Sequence, residues 1–214
     1  MDLRGSAPPP GVLREVTGHL AVGGLVAMPT ETVYGFGGLA QEGPVGRIQA
    51  LKGRGPEKPF LLLIPDVESV PQLDWVPWAL ELAQVFWPGA LTLILRDPEG
   101  SFPQGVRNPE GGVAVRVSPH PLAKAVVAAL GRPLVSTSAN TPGGSPALSG
   151  EEALAAARAL GAGEDLWVLD GGELRQSHPS TIIDCTGSGP VILREGAIPQ
   201  NRLRCVLPNV NEST

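Results

Sequence analysis

Apolar residues along this chain recur with two periods, and the alternation between them predicts its elements. Leu13, Val16 and Leu20 are spaced for one face of a helix, which Gly23-Gly24 ends. Leu25 to Met28 reads as a strand stopped by Pro29, while Thr30 to Gly38, rich in hydroxyls and glycine, reads as a turn or loop. Val45, Ile48 and Leu51 predict a second helix running into the basic loop Lys52-Gly53-Arg54, and Phe60 to Ile64 reads as a buried strand. A helix through Trp78, Leu82, Val85 and Phe86 stops at Pro88-Gly89, before a strand from Ala90 to Leu95. The strand Val113 to Val117 precedes a helix marked by Leu122, Val126 and Leu130 and closed by Gly131; Leu134 to Thr137 is the next strand. Ser149 and Glu152 carry the signature of a capping box for an Ala-rich helix to Leu160. Strands near Leu166 to Leu169, Thr181 to Asp184 and Val191 to Leu193 follow. Helices and short strands succeed one another without a strict βαβ rhythm, which predicts a mixed, twisted sheet covered by helices, with no internal repeat and no interdomain linker.

Composition narrows this picture. A chain of 214 residues that is 42% hydrophobic and 17% charged can bury one full core and is not globally disordered. Its 28 glycines and 23 prolines show no collagen-like period, so the excess belongs in turns. Sixteen basic against 21 acidic residues leave a net charge of -5, which excludes coating of nucleic acid or anionic membrane by bulk charge. Cys185 and Cys205 lack both zinc-ligand spacing and the density of a disulfide scaffold, and read as free cytosolic thiols or a single bridge. No run approaches the ~18 apolar residues of a membrane span, and Met1 to Gly11 has a Pro8-Pro9-Pro10 run but no apolar signal region; a soluble cytoplasmic protein is expected. Residues 1–11 are expected to be a flexible segment, 12–204 a single domain and 205–214 a tail.

Several mechanisms are excluded by what is missing. The chain has no GxxxxGK[ST] loop, GxGxxG fingerprint, HExxH helix or GxSxG elbow, and its three histidines have no sequence partner for a triad or zinc site. What stands out is a set of strand-end segments carrying hydroxyls and cations: Pro29 to Thr32, Lys52 to Arg54 with Lys58, Arg116, Ser136 to Asn140, Ser180-Thr181 and Arg194. Cations leaving several strand ends can meet on one polyanion; Arg forks and Lys point charges suit a triphosphate and a carboxylate, and hydroxyls orient small polar groups. Each segment alone also reads as ordinary structure: a turn at Thr30 and Thr32, a solvated helix end at Lys52 and Arg54, turn chemistry at Ser138 to Asn140. Arg116 stands among small apolar residues in Val113-Ala114-Val115-Arg116-Val117, so its side chain points the opposite way from those of Val115 and Val117, into a cleft or to solvent.

Taken in order, Met28-Pro29-Thr30-Glu31-Thr32-Val33-Tyr34-Gly35, Lys52-Gly53-Arg54 with Lys58-Pro59, Trp87 to Thr92, Val113 to Arg116, Ser138-Ala139-Asn140, and Ser180 to Asp184 with Leu193 to Gly196 resemble the YrdC family. The resemblance runs from about Leu13 to Ile198 and is closest to the family's short, single-domain form. It implies an α+β, three-layer fold, with a twisted mixed sheet of about seven strands flanked by helices around a positively charged cavity. The activity implied is L-threonylcarbamoyladenylate synthesis, a nucleotidyl transfer in which threonine, bicarbonate and ATP give threonylcarbamoyl-AMP and pyrophosphate. The product would serve threonylcarbamoyladenosine formation at tRNA position 37.

By matching motif, Thr30, Arg116, Ser136 and Ser180 would touch threonine. Lys52, Arg54, Lys58, Gly112, Ser138, Asn140, Ser145 and Arg194 would handle ATP, with Lys52 and Arg54 stabilising charge and no covalent nucleophile. Mg2+ would arrive with ATP, without protein ligands. Some members carry His where this chain has Leu63, so one threonine contact is expected to be absent or replaced. Thr141 to Pro146 is a candidate lid. A downstream tRNA-modifying transferase complex is the partner implied. Two other functions stay open: a double-stranded RNA or tRNA-binding module using the basic Arg47 to Lys58 segment, and a relative that adenylates another carbamoyl group.

Overall fold

The computed structural model describes residues 1–4, 8–55, 57–208 and 210–212. Its described residues form three layers around one ten-stranded mixed sheet of order β10-β9-β8-β4-β5-β3-β6-β2-β1-β7. The strands are β1 (Leu25–Pro29), β2 (Tyr34–Leu39), β3 (Leu61–Leu63), β4 (Leu91–Arg96), β5 (Gly112–Arg116), β6 (Leu134–Ser138), β7 (Leu166–Val168), β8 (Thr181–Asp184), β9 (Val191–Arg194) and β10 (Asn211–Glu212). The helices are α1 (Pro10–Ala21), α2 (Glu42–Lys52), α3 (Pro77–Phe86), α4 (Pro121–Leu130), α5 (Gly150–Ala159) and α6 (Gln200–Val206). The class is the expected one, but the sheet has ten strands rather than about seven.

The main departure is β2, expected as loop. Tyr34 and Phe36 of this strand are fully buried, and Gly35 and Gly37 pair with Ser138 and Ser136 of β6. A Cβ at Gly37 would stand 2.7 Å from the Val135 carbonyl oxygen, so close approach of backbones replaces side-chain packing, and glycine content ceases to signal a loop. α6 and β10 extend the fold past residue 204, and Met1 to Leu3, expected to be loose, hydrogen-bond to Val168 and Asp170.

Helix ends follow the sequence. Gly53 and Gly131 take the left-handed conformation after α2 and α4, and Ser149 Oγ accepts the Glu152 amide at the start of α5. The Glu152 carboxylate reaches the Leu148 amide rather than that of Ser149, a shifted capping box.

The two sheet faces are covered unequally. On one, Leu91, Leu93, Leu95, Val113, Val115, Ile183 and Ile192 are buried beneath α3 and α6, and α2 and α5 continue this layer over β1 and β2. On the other, α1 and α4 bury Val26, Met28, Leu63, Leu134 and Leu169, with Leu61 and Trp167 partly buried at the margin. The rest of that face, with Leu61, Ile94, Ala114, Arg116, Ser136 and Arg194, has no helix over it. Register fixes this: Ile94 pairs with Ala114, Leu61 with Ser136, and Ile182 with both Thr92 and Arg194, so these side chains share one side.

Gly196 fixes the edge of this bare region. A Cβ there would lie 2.1 Å from the Pro179 carbonyl oxygen and 2.7 Å from the Ser180 carbonyl carbon, both backbone atoms that cannot rotate aside. Gly196→Ala is therefore expected to destabilise the fold by about 1–3 kcal/mol, the usual cost of overpacking, read from the urea midpoint at constant slope.

Candidate active site

The bare half of the sheet opens into a cavity of about 590 Å³ at the ends of β1, β5, β6 and β9. Among the residues singled out from the sequence, Thr30, Arg54, Arg116, Ser136, Ser138, Ser145, Ser180 and Arg194 line it. These belong to segments spread over 165 positions of chain, yet the strand order brings β5, β3 and β6 side by side.

Three guanidinium groups face this cavity, each held differently. Arg116 is 5% exposed and sits at the end of β5, its Nη1 3.2 Å from Glu31 Oε1. Glu31 Oε2 in turn accepts the Ser118 hydroxyl at 2.6 Å, and Ser118 Oγ accepts the His120 amide. Burial pulls the Arg116 pKa down against the pull of Glu31 and in concert with Arg194, and its Nε is buried without a partner. Arg54 leaves α2 through the left-handed turn at Gly53, donates to Thr137 Oγ1 and the Pro59 carbonyl, and lies 5.2 Å over the Phe60 ring. Arg194 donates through Nε and Nη2 to the Ser180 carbonyl and through Nη2 to Ser180 Oγ, which also contacts Thr92 Oγ1 at 2.9 Å. Burial lowers the pKa of Arg54 and Arg194 as well. Cations stripped of water without a full set of acceptors favour an incoming anion.

The hydroxyl end is built by the chain reversal after β1. Thr30 Oγ1 donates to the Val33 carbonyl at 2.8 Å and lies 3.1 Å from Thr32 Oγ1, so both threonines are fixed, 2% and 5% exposed, at the cavity wall. Gly35 packs closely beside them: a Cβ there would come within 2.6 Å of Ser136 Oγ and 3.1 Å of the Thr137 carbonyl oxygen.

Four expected residues lie outside the lining. Lys52 gives its ammonium protons to the Ser138 carbonyl, the Asn140 carbonyl and Asn140 Oδ1. Asn140 spends its amide protons on the Thr141 and Gly144 carbonyls, which fastens the turn at the start of the candidate lid. Lys58 is exposed on the loop before β3. Gly112 stands at the far end of β5, where its amide donates to Asn108 Oδ1 and its carbonyl accepts the Asn108 amide, so the backbone group expected to meet ATP is already engaged. Leu63 packs in the α1–α4 cluster, and Leu61, two residues earlier on the same face, forms the cavity wall instead. Thr32, Thr137, Gln176 and Ser177 line the cavity without having been assigned to it. Thr32 and Thr137 lay inside hydroxyl segments already visible; Gln176 and Ser177 lie in a stretch without regular structure, and no period marks them.

A shelf leads away from the cations. Ile94, Ala114 and Ile182 are partly exposed on the bare face between Arg116 and Gly112. The four residue steps of β5 measure roughly 13 Å, enough for a nucleoside laid beside its phosphates. Among the described residues no group of three His, Cys, Asp or Glu side chains is gathered to hold a metal ion, both cysteines are free, and no helix is long and apolar enough to cross a membrane.

The Sua5/YciO/YrdC family model, described as telomere recombination, matches residues 19–196. The chain is 35% identical over 206 residues to the threonylcarbamoyl-AMP synthase of Pyrococcus abyssi, covering 92% of this chain and 58% of that protein. It is 37% identical over 180 residues to the threonylcarbamoyl-AMP synthase of Chromohalobacter salexigens, covering 80% of this chain and 91% of that one. The crystal structure of P. abyssi Sua5 complexed with L-threonine superposes with a TM-score of 0.89 at 32% identity, over all of this chain and 62% of the other. The chain thus spans about three fifths of the P. abyssi protein.

Lys52 carries a pH signature. Burial, and next the Arg54 charge, lower its pKa from 10.5 to about 8. Below pH 8 folded and unfolded chains both hold this proton; between about 8 and 10.5 only the unfolded chain keeps it, so stability relative to Lys52→Met is expected to rise with pH across that window. Urea titrations of both proteins at pH 7, 8, 9 and 10 check the sign; a difference that falls with pH would contradict it.

Proposed function

The chain belongs to the Sua5/YciO/YrdC family, and from that premise we propose that it is a threonylcarbamoyl-AMP synthase acting on L-threonine, bicarbonate and ATP. The observation that carries the reading is the convergence of Arg54, Arg116 and Arg194 on one cavity between a hydroxyl wall and an apolar shelf. Three anionic groups must meet in this reaction: the threonine carboxylate, the carbamate and the triphosphate. A pocket of partly desolvated guanidiniums fits that demand.

On this reading bicarbonate takes up a proton and loses water to give CO2, and the free amine of threonine adds to that CO2 and releases a proton, giving a carbamate. A carbamate oxygen then attacks the α-phosphorus of ATP, and the bond to pyrophosphate breaks. No activated serine or cysteine is required, because both nucleophiles belong to the substrates. The protein's task is to hold them in line and to oppose the charge that builds on the phosphates. Arg116 suits the amino-acid carboxylate, since Glu31 and Ser118 fix it beside Thr30 and Ser180. Arg54 and Arg194 suit the phosphates, with Ser138 and Ser145 near them and the Ile94–Ala114–Ile182 shelf under the nucleoside. Mg2+ would be carried by the phosphates and would add charge neutralisation there; the described residues gather no group of three His, Cys, Asp or Glu side chains to hold it.

The product would pass to a separate transferase that modifies tRNA. Direct RNA binding draws less support: within the basic segment Arg47 is paired with Asp165, Lys52 is saturated by carbonyls, and Arg54 faces the cavity. A related enzyme that adenylates a different carbamoyl group would not need threonine, which makes substrate dependence the deciding test. Pyrophosphate release is expected to require threonine and bicarbonate together. Arg116→Ala and Arg54→Ala are each expected to lower kcat/KM by about 10²–10³, as loss of a charge-stabilising donor does, with Arg116→Ala raising KM for threonine and Arg54→Ala that for ATP. Release without threonine, or unchanged turnover in both variants, would overturn the reading.

A further inference from the structure

Lys52 and Arg54 stand two residues apart at the end of α2, yet their side chains part. Gly53, with φ of 56°, turns the chain between them, so that Arg54 reaches the cavity wall and Lys52 does not. Lys52 is 9% exposed, and an ammonium has three protons to give. All of them have protein acceptors: the Ser138 carbonyl at 2.9 Å, the Asn140 carbonyl at 2.5 Å and Asn140 Oδ1 at 2.8 Å. A phosphate could be met only by giving one of these up.

The acceptors form a chain of their own. Asn140 Oδ1 also takes the Ser138 hydroxyl at 2.6 Å, which commits the amide orientation and sends Nδ2 to the Thr141 and Gly144 carbonyls at 2.9 and 2.8 Å. Any other orientation of that amide would leave donors facing donors. Gly144 N closes the same turn on the Thr141 carbonyl, and Ala147 N returns to the Ala139 carbonyl. One cation thus ties the exit of β6, where Ser138 meets the cavity, to the 141–147 turn, where Ser145 does.

We propose that Lys52 is a positioning residue, which through Asn140 sets Ser138 and the 141–147 turn against the nucleotide and makes no contact with the nucleotide itself. The proposal rests on the reading of the cavity as an ATP site, and it reassigns a lysine expected among the charge-stabilising groups. The two cations flanking Gly53 divide the work: Arg54 faces substrate and Lys52 holds the frame.

A double-mutant cycle separates the two roles. Lys52→Met and Asn140→Ala are each expected to raise KM for ATP about tenfold with a smaller change in KM for threonine, and the double variant to be no worse than the poorer single one, because both break one connection. Multiplying losses, or a fall in kcat confined to Lys52→Met, would overturn the proposal. Lys52→Arg adds a second reading: a planar fork cannot converge on three acceptors, so retained charge is not expected to restore KM, and full restoration would count as refutation. Should Lys52→Met not fold, hydrogen exchange in Asn140→Ala still decides, since faster exchange at the Gly144 and Ala147 amides is expected and an unchanged rate would sink the connection. Absence of threonine-dependent pyrophosphate release in the wild type would instead sink the proposed function.

Discussion

Everything at this site depends on half of one sheet face being left without a helix. Two helices, α1 and α4, cover β1 and the adjoining ends of β6 and β3, while the strands from β5 to β9 carry their second layer on the opposite side only. A bare sheet face must be wet, ligand-bound or both, and its residues differ accordingly: Leu, Val and Ile where α3 and α6 cover the strands, but Thr92, Ala114, Arg116, Ser136 and Arg194 among Leu61, Ile94 and Ile182 where nothing does. The two-residue period of β5 is therefore a functional signal as much as a structural one. It puts Val113 and Val115 in the core and leaves Arg116 for chemistry.

Holding a guanidinium at 5% exposure needs a counter-charge in the resting protein. Glu31 supplies it from the turn after β1, and Ser118 holds Glu31 from the loop after β5, so the carboxylate is fastened from two directions. The pair is not self-sufficient: Arg116 Nε has no acceptor, and burial still works against its charge. An incoming anion would restore part of what desolvation removed, and the nearby Arg194 adds a second positive group on the same side. A site with two cations and one fixed anion attracts a single further anion more strongly than a neutral one.

Much of this was legible in the sequence, and the exceptions have physical causes. Strands β4, β5 and β6 and helices α1 and α4 followed their apolar periods because each is buried on a definite face. β2 was hidden because its glycines serve backbone approach, and composition reads glycine as turn. Among residues singled out from the sequence, Arg116, Ser138 and Arg194 at strand ends and Ser136 within β6 do line the cavity on the bare face. Lys52 and Gly112 were grouped with them because residue type reports what a side chain can donate, whereas only the fold reports that an acceptor already holds it. Gln176 and Ser177 were missed for the opposite reason: their stretch has no apolar period, and their own side chains carry no charge.

Apart from Arg116, which a carboxylate holds, the direction of the cations here is set largely by backbone. At Gly53 a left-handed residue reverses the chain so that Lys52 and Arg54 diverge; an L side chain there would be strained in that conformation. At Gly196 the missing Cβ lets the strand exit lie against Pro179 and Ser180, the contact that keeps the Ser180 carbonyl in reach of Arg194. Guanidiniums are long and rotatable, and left to themselves would spend much entropy on being held in one place. Fixing the peptide on which each acceptor sits achieves the same end with groups that have no side-chain freedom to lose. That is why glycine and carbonyl oxygen, which carry no charge, decide where the charges of this site point.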